Sequence, residues 1–414
     1  MHQKITAAHT ASSDRRFNDI QHPQQAAMIR FLLKLLFGRL VPALVLSLSI
    51  FIGWCTIDPK VPWEARFFVV IIPILKGYAP PILFGHGQLG AKETPPVPTD
   101  LAPKPRPDGE LFATLEGSGD AMPLNGIGMC CRPTAYDDVS VERTIEWYLL
   151  LGGRHIDGAH LYLNHAAIGR GIANAVAKGI PRSEIFVTTK VYPSHFGYHT
   201  TKSVVEESLR DLGLDYLDMV LMHAPVRMLP GPETAECKSL SNKDCRKDTW
   251  KALSELRNAG LVRNAGVSNF HIRHIEELID DHSSDGSLAP VSNNQIQWNP
   301  WAPTEWVETV AFCREKNIQI TAYNSLGGSL ENHKTETIAT LNELSKEYGR
   351  SVAQIMLRWA LQSGAAIIPG TGNPKYMEEN LSVYGFELSA ADMDRIDGLR
   401  EELEGEFFVM KPRD

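Results

Sequence analysis

From about residue 110 to residue 370, short apolar runs alternate with helix-patterned stretches, and this alternation constrains the fold more than any other feature. The runs are NGIGM, GGRHIDGA, EIFVTTK, DMVLMH, NAGVSN, SNNQIQW, IQITAYN and AAIIPG. Helical patterns fall near 138–151, 164–177, 201–212, 249–259, 272–279, 305–316, 336–348 and 352–362. Strands alternating with helices give a parallel α/β fold, and eight such strands make a (β/α)8 TIM barrel. No internal repeat of about 20 to 50 residues explains the pattern better. A doubly wound dinucleotide fold has little support, because GIGMCC and GTGNPK both lack the third glycine of GxGxxG. The 414 residues hold one α/β domain of about 250 to 300 residues, with chain to spare.

A parallel barrel builds its site from groups at the ends of its strands. Asp157 ends the second run and Tyr162 follows five residues later, while Lys190 ends the third and His223 the fourth. Taken singly, each has an ordinary explanation. Asp157 serves as a turn former or cap, Tyr162 as packing, Lys190 with Asp157 as an inert ion pair, and His223 as a core histidine. In this order and spacing the four together resemble the Asp, Tyr, Lys and His tetrad of the aldo-keto reductases, over residues 112–400. The resemblance implies reduction of an aldehyde or ketone by hydride transfer from a nicotinamide, with Tyr162 as general acid. A tyrosine with its usual pKa near about 10 donates reluctantly, so Lys190 is expected to lend it phenolate character. His223 is expected to orient the carbonyl or to share in the proton transfer. The resemblance also implies that the hairpin LFATLEGSGDAMPL, turning on 117–119, plugs the bottom of the barrel.

Further residues match the family's nicotinamide contacts: Ser268 and Asn269 in GVSNF, and Gln295 in NNQIQW, for the carboxamide. Tyr323 in TAYNSLGG matches the aromatic that stacks on the ring, with Asn324 and Leu326 beside it in the cofactor set. Thr371, Tyr376, Glu379 and Asn380 match phosphate and adenine contacts. Asn380 also opens a glycosylation sequon, which a role against adenine would leave unused. The departures concern specificity. Met129 and Cys130 stand where the family has Thr-Trp, and Ala224 where it often has Trp after the histidine. Gly158 and His165 replace a Thr and a Glu. Met129, Cys130, Tyr192 and Ala224 thus line a roomier expected substrate pocket, and the carbonyl substrate cannot be copied from the family. Gly370 and Tyr376 replace a Lys and an Arg that favour NADPH through its 2′-phosphate. NADP(H) is the expected cofactor, with a weakened preference and NAD(H) use beside it. Two rivals share this fold: a redox-sensing accessory subunit of a membrane protein, and a pseudoenzyme that binds nucleotide without turnover.

The front of the chain differs in composition. Residues 1–39 carry six basic residues, Lys4, Arg15, Arg16, Arg30, Lys34 and Arg39, against Asp14 and Asp19. Residues 40–57 are free of charge and make about 27 Å of helix, close to the thickness of a bilayer. A signal anchor in the lipid bilayer is expected, with Trp54 near its end as an interfacial residue. Residues 67–85 are apolar but broken by Pro73, Lys76, Pro80 and Pro81, so a second span, a re-entrant hairpin and an interfacial segment all stay open. The basic flank should stay cytoplasmic, so one span sends the barrel across the membrane and two bring it back. The supply of reduced nicotinamide inclines the reading to a cytoplasmic-facing barrel. Residues 86–110, with six prolines from Pro95 to Pro107, read as a semi-rigid spacer before a barrel domain at 111–414.

A net charge of −8 argues against general nucleic-acid binding. Six cysteines without CxxC or Cys/His spacing suggest neither a disulfide framework nor a metal site. Cys237 and Cys245 are expected to be free thiols, unless a lumenal setting pairs them. No protein partner is specified.

Overall fold

A computed structural model of the protein describes residues 93–226, 234–327 and 338–403. The apolar segments at 40–57 and 67–85 and the basic residues before them lie outside the described residues. Among the described residues, no helix is long and apolar enough to cross a membrane.

A hairpin comes first, β1 (Phe112–Thr114) paired antiparallel with β2 (Ala121–Pro123). Eight parallel strands follow: β3 (Ile127–Gly128), β4 (His155–Asp157), β5 (Phe186–Val191), β6 (Leu217–Met222), β7 (Val262–Ser268), β8 (Asn293–Gln297), β9 (Gln319–Tyr323) and β10 (Ala366–Ile367). They are hydrogen-bonded in chain order. A parallel bridge from Asn125 to Ile367, with Gly126 N–H donating to the Ile367 carbonyl at 2.7 Å, closes last strand onto first. The order is that of a (β/α)8 barrel. β5 and β6 are buried along their whole length, as strands covered on both faces by a barrel interior and by helices must be.

The helices between strands are α1 (Asp138–Leu150), α2 (His165–Ala177), α3 (Tyr198–Leu212), α4 (Asn242–Asn258), α5 (Ile272–Ser284), α6 (Thr304–Glu315), α7 (Ala339–Tyr348) and α8 (Val352–Gln362). Three more follow β10: α9 (Pro374–Leu381), α10 (Ala390–Asp397) and α11 (Leu399–Leu403). Local chemistry fixes several of their ends. Asp137 and Ser241 accept from the backbone of Ser140 and Asp244, and Ser351 forms a capping box with Gln354. The Ser241 cap starts α4 seven residues before the expected 249, because a polar first turn carries no apolar period to read.

The hairpin covers the end of the barrel where the strands begin. Ser118 Oγ donates to Asn264 Oδ1 at 2.6 Å, and Asn264 Nδ2 donates to Asp120 at 2.8 Å, both beside the start of β7. The described part of the proline-rich stretch has no helix or strand, turns at Thr99–Asp100 and Asp108–Gly109, and is no free spacer. It lies along α1 and uses its carbonyls as acceptors. Trp147 donates to Pro95 O at 3.0 Å and Arg143 to Thr94 O at 3.0 Å, and Thr94 is fully buried beside Thr144. Prolines lack an N–H but keep a carbonyl, so a proline-rich strap can dock by accepting. Cys237 and Cys245 form a disulfide with Cα atoms 5.3 Å apart, so the expectation of free thiols fails. Cys245 sits in the first turn of α4 rather than in the loop, which turns it toward Cys237. Cys130 and Cys131 are also joined, which the sequence did not suggest.

Candidate active site

Parallel strands bring their C-terminal ends to one rim, and the polar groups of the sequence gather there. Asp157 is the last residue of β4 and is level with Thr188 of β5. Lys190 lies two residues beyond Thr188, so it shares that residue's face and reaches back one strand to Asp157. His223 follows β6, Ser268 ends β7, Gln295 lies within β8 and Tyr323 ends β9. Tyr162 ends a single 3-10 turn after β4, stopped by Leu163 in the left-handed region at φ 55°.

The structure brings the four tetrad residues together. Lys190 is fully buried, and its Nζ donates to Asp157 Oδ1 at 2.6 Å and to the Gly158 carbonyl at 2.9 Å. The same Nζ is 5.2 Å from the centre of the Tyr162 ring. The Tyr162 and His223 rings meet edge to face at 5.7 Å, and Tyr192 meets His223 at the same distance from another side. Burial lowers the pKa of Lys190, against the pull of Asp157. Burial, then the Lys190 charge, holds His223 well below its usual pKa, so its imidazole is neutral. Burial and then the Asp157 carboxylate push Tyr162 well above the usual tyrosine pKa. Tyr162 therefore keeps its proton in the free protein.

The residues expected to contact the nicotinamide form one network on the rim. Asn269, in the left-handed region at φ 61°, donates to His223 O at 2.9 Å and to Ser268 Oγ at 3.1 Å. Its Oδ1 accepts from the Tyr323 hydroxyl at 2.7 Å. Gln295 Nε2 donates to Asp157 Oδ2 at 2.7 Å, so one of its amide hydrogens serves the tetrad. Asn324, also left-handed at φ 53°, is held by Asn299 at its carbonyl, and Leu326 packs against the core. Thr371 and Asn380 line one small cavity after β10, and Glu379 lies on α9 with Tyr376, which is about half exposed. Asn380 gives its carbonyl to Asn125, and Lys375 lies 3.9 Å from Glu379.

The pocket set divides. Cys130 is partly exposed and Tyr192 nearly buried, but Met129 and Ala224 have no exposed surface. The Met129 sulfur accepts from Arg132, so that residue packs beneath the rim instead of lining it. Two rim residues escaped the sequence reading. Asn164 donates to the carbonyls of Met129 and Ala135 and fixes the loop after β3. Arg132 lies in that loop, and its side chain faces Gly370 across the closure of the barrel. A cation following the Met-Cys-Cys stretch was the available signal. Among the described residues no cluster of side chains could hold a metal ion.

Comparison with known proteins agrees with this geometry. The sequence profile of the aldo/keto reductase family matches residues 125–401. Glyoxal reductase of Bacillus subtilis is 36% identical over 287 residues, covering 69% of this chain and 91% of that protein. The 9,11-endoperoxide prostaglandin H2 reductase of Trypanosoma cruzi is 35% identical over 286 residues, covering 68% and 89%. Among solved structures, the Bombyx mori aldo-keto reductase in complex with NADP superposes with a TM-score of 0.61 at 29% identity, covering 70% of this chain and 92% of that one. With fold, rim and sequence in agreement, the chain belongs to the aldo/keto reductase family and is an NAD(P)H-dependent oxidoreductase.

Proposed function

We propose that the protein is a membrane-anchored reductase of aldehydes or ketones that uses NADP(H), with Tyr162 as general acid. The observation that carries this reading is the buried Lys190–Asp157 pair at 2.6 Å, set against the Tyr162 ring. When bound, the reduced nicotinamide supplies the hydride to the carbonyl carbon. Tyr162, kept protonated by burial, gives its proton to the carbonyl oxygen. Lys190 then faces the phenolate left behind and stabilises it, while Asp157 and Gln295 hold Lys190 and its counter-charge in place. His223, neutral beside Tyr162, offers an uncharged ring to orient the carbonyl. The rim fits a nicotinamide: Ser268, Asn269 and Tyr323 form an amide- and hydroxyl-rich edge, and a buried His223 Nδ1 has no partner among the described residues.

The anchor rests on the uncharged run at 40–57 behind a basic flank. We place the barrel on the cytoplasmic side, where reduced nicotinamide is supplied, which requires 67–85 to bring the chain back. The Cys237–Cys245 and Cys130–Cys131 disulfides favour the opposite, oxidising side. Protease digestion of sealed vesicles decides between them, and a fully protected barrel would contradict the cytoplasmic placement. The activity is tested with a panel of aldehydes, dicarbonyls such as glyoxal, and ketones, following NADPH oxidation. Turnover on at least one class is expected. Cofactor binding without turnover on any would favour the pseudoenzyme.

A further inference from the structure

The barrel closes where β3 leads into Gly128 and β10 into Gly370, and one side chain occupies the seam. A Cβ built on Gly370 would lie 2.8 Å from Nη1 of Arg132 and 3.0 Å from the Gly128 carbonyl. The guanidinium spends its donors on neutral groups: the Gly128 carbonyl at 2.5 Å, Thr134 Oγ1 at 3.2 Å and the Met129 sulfur at 3.4 Å. Other part-buried arginines differ. Arg154, Arg182 and Arg246 each face a carboxylate, Glu184, Asp218 and Glu277. Among the described residues Arg132 has none. Burial brings its pKa down to about 10, which still leaves it charged at neutral pH. A desolvated cation without a counter-ion is costly, and its planar fork suits a phosphate.

We infer that Arg132 is the residue that grips the cofactor's 2′-phosphate, replacing from the β3 loop the lysine that Gly370 lacks. The inference rests on the NADP(H) reading above. Gly370 is then the condition for this arrangement, because any side chain there would push against the guanidinium. Thr134, whose Oγ1 lies 2.9 Å from a Cβ built on Gly372, stands beside the same turn and receives Arg132 Nε. The cation has moved across the seam from the last strand to the first. The weakened NADPH preference expected from Gly370 and Tyr376 is thereby reversed, and Gly370→Lys would have to displace Arg132 before its ammonium could serve.

The test is calorimetric binding of NADP⁺, NAD⁺, 2′,5′-ADP and 5′-AMP to the full chain and to Arg132→Met, Arg132→Lys and Gly370→Ala. Arg132→Met should weaken NADP⁺ and 2′,5′-ADP by about 10- to 150-fold, the span of a lost charged hydrogen bond. NAD⁺ and 5′-AMP should change little, and Arg132→Lys should recover part of the loss. Gly370→Ala, which leaves the charge in place, should weaken NADP⁺ more than NAD⁺, so the inference stays testable if Arg132→Met folds poorly. Equal losses for NADP⁺ and NAD⁺ would assign Arg132 to the shared pyrophosphate and overturn the inference while leaving the reductase reading intact. Unchanged NADP⁺ binding in both variants would also overturn it. A wild-type chain that binds neither dinucleotide would overturn both readings.

Discussion

Lys190 is a charged side chain with no exposed surface, and its Nζ donates to Asp157 and to the Gly158 carbonyl. Removing one member of such a pair leaves the other charge buried and uncompensated, at about 3 to 5 kcal/mol. Lys190→Met should therefore lower stability to urea by that order and abolish turnover. Adding Asp157→Asn should restore much of the stability and none of the activity. Equal stability of the single and double variants would show that the buried pair is not held by its opposite charges. A second expectation concerns pH. Burial, then His160 and Lys190, holds His165 at about 3, against an unfolded value near about 6.5. Between those values the unfolded chain binds more protons, so stability is full above about pH 6.5 and is lost as pH falls toward 3. Urea midpoints should fall more steeply with acid in the wild type than in His165→Gln, and parallel curves would contradict this. The four grouped residues were legible because Asp157, Lys190 and His223 end apolar runs and Tyr162 follows the first of them five residues later. The direction of the Tyr162 shift was not, since it depends first on burial and then on the charge of Asp157, both set by the closed barrel. The setting of Arg132 was hidden for a similar reason: it is made by Gly370, distant in the chain but adjacent across the barrel's closure.

At the scale of elements, the alternation of apolar runs and helical patterns was enough to recover all eight barrel strands. α8 was expected at its observed bounds, because Ser351 and Gln354 frame an apolar face that keeps the helical period. α9, α10 and α11 escaped because they are short and polar, lying on the surface after the barrel has closed. The contact of α2 with the end of α3 gives a direct check. A Cβ on Gly169 would lie 2.3 Å from the Leu212 carbonyl, and backbone cannot rotate away as a side chain can. Gly169→Ala should cost about 1 to 3 kcal/mol in thermal or urea unfolding, although alanine favours an isolated helix. A stabilised variant would show that α2 and α3 are not packed this closely.

For the whole molecule, composition separated the front of the chain from the barrel. The docking of the strap depends on Trp147, Arg143 and Thr144 on a helix whose facing surface no local pattern reveals. A chain beginning at Glu93 should be measurably more stable than one beginning at Leu111, by differential scanning calorimetry. Equal melting temperatures would return the strap to the status of a spacer. Full-length protein should sediment with membranes and resist carbonate extraction, whereas the chain from Glu93 should not. Uncleaved full-length protein in the soluble fraction would contradict the anchor.

All of this organisation converges on one proton. Tyr162→Phe removes that proton and little else, because the ring that meets His223 and lies near Lys190 remains. The direct measurement is the single-turnover rate of carbonyl reduction in the variant, with its NADPH dissociation constant determined in parallel. The account predicts an unchanged dissociation constant and a rate lowered by about 10² to 10⁴. A near-normal rate would contradict it.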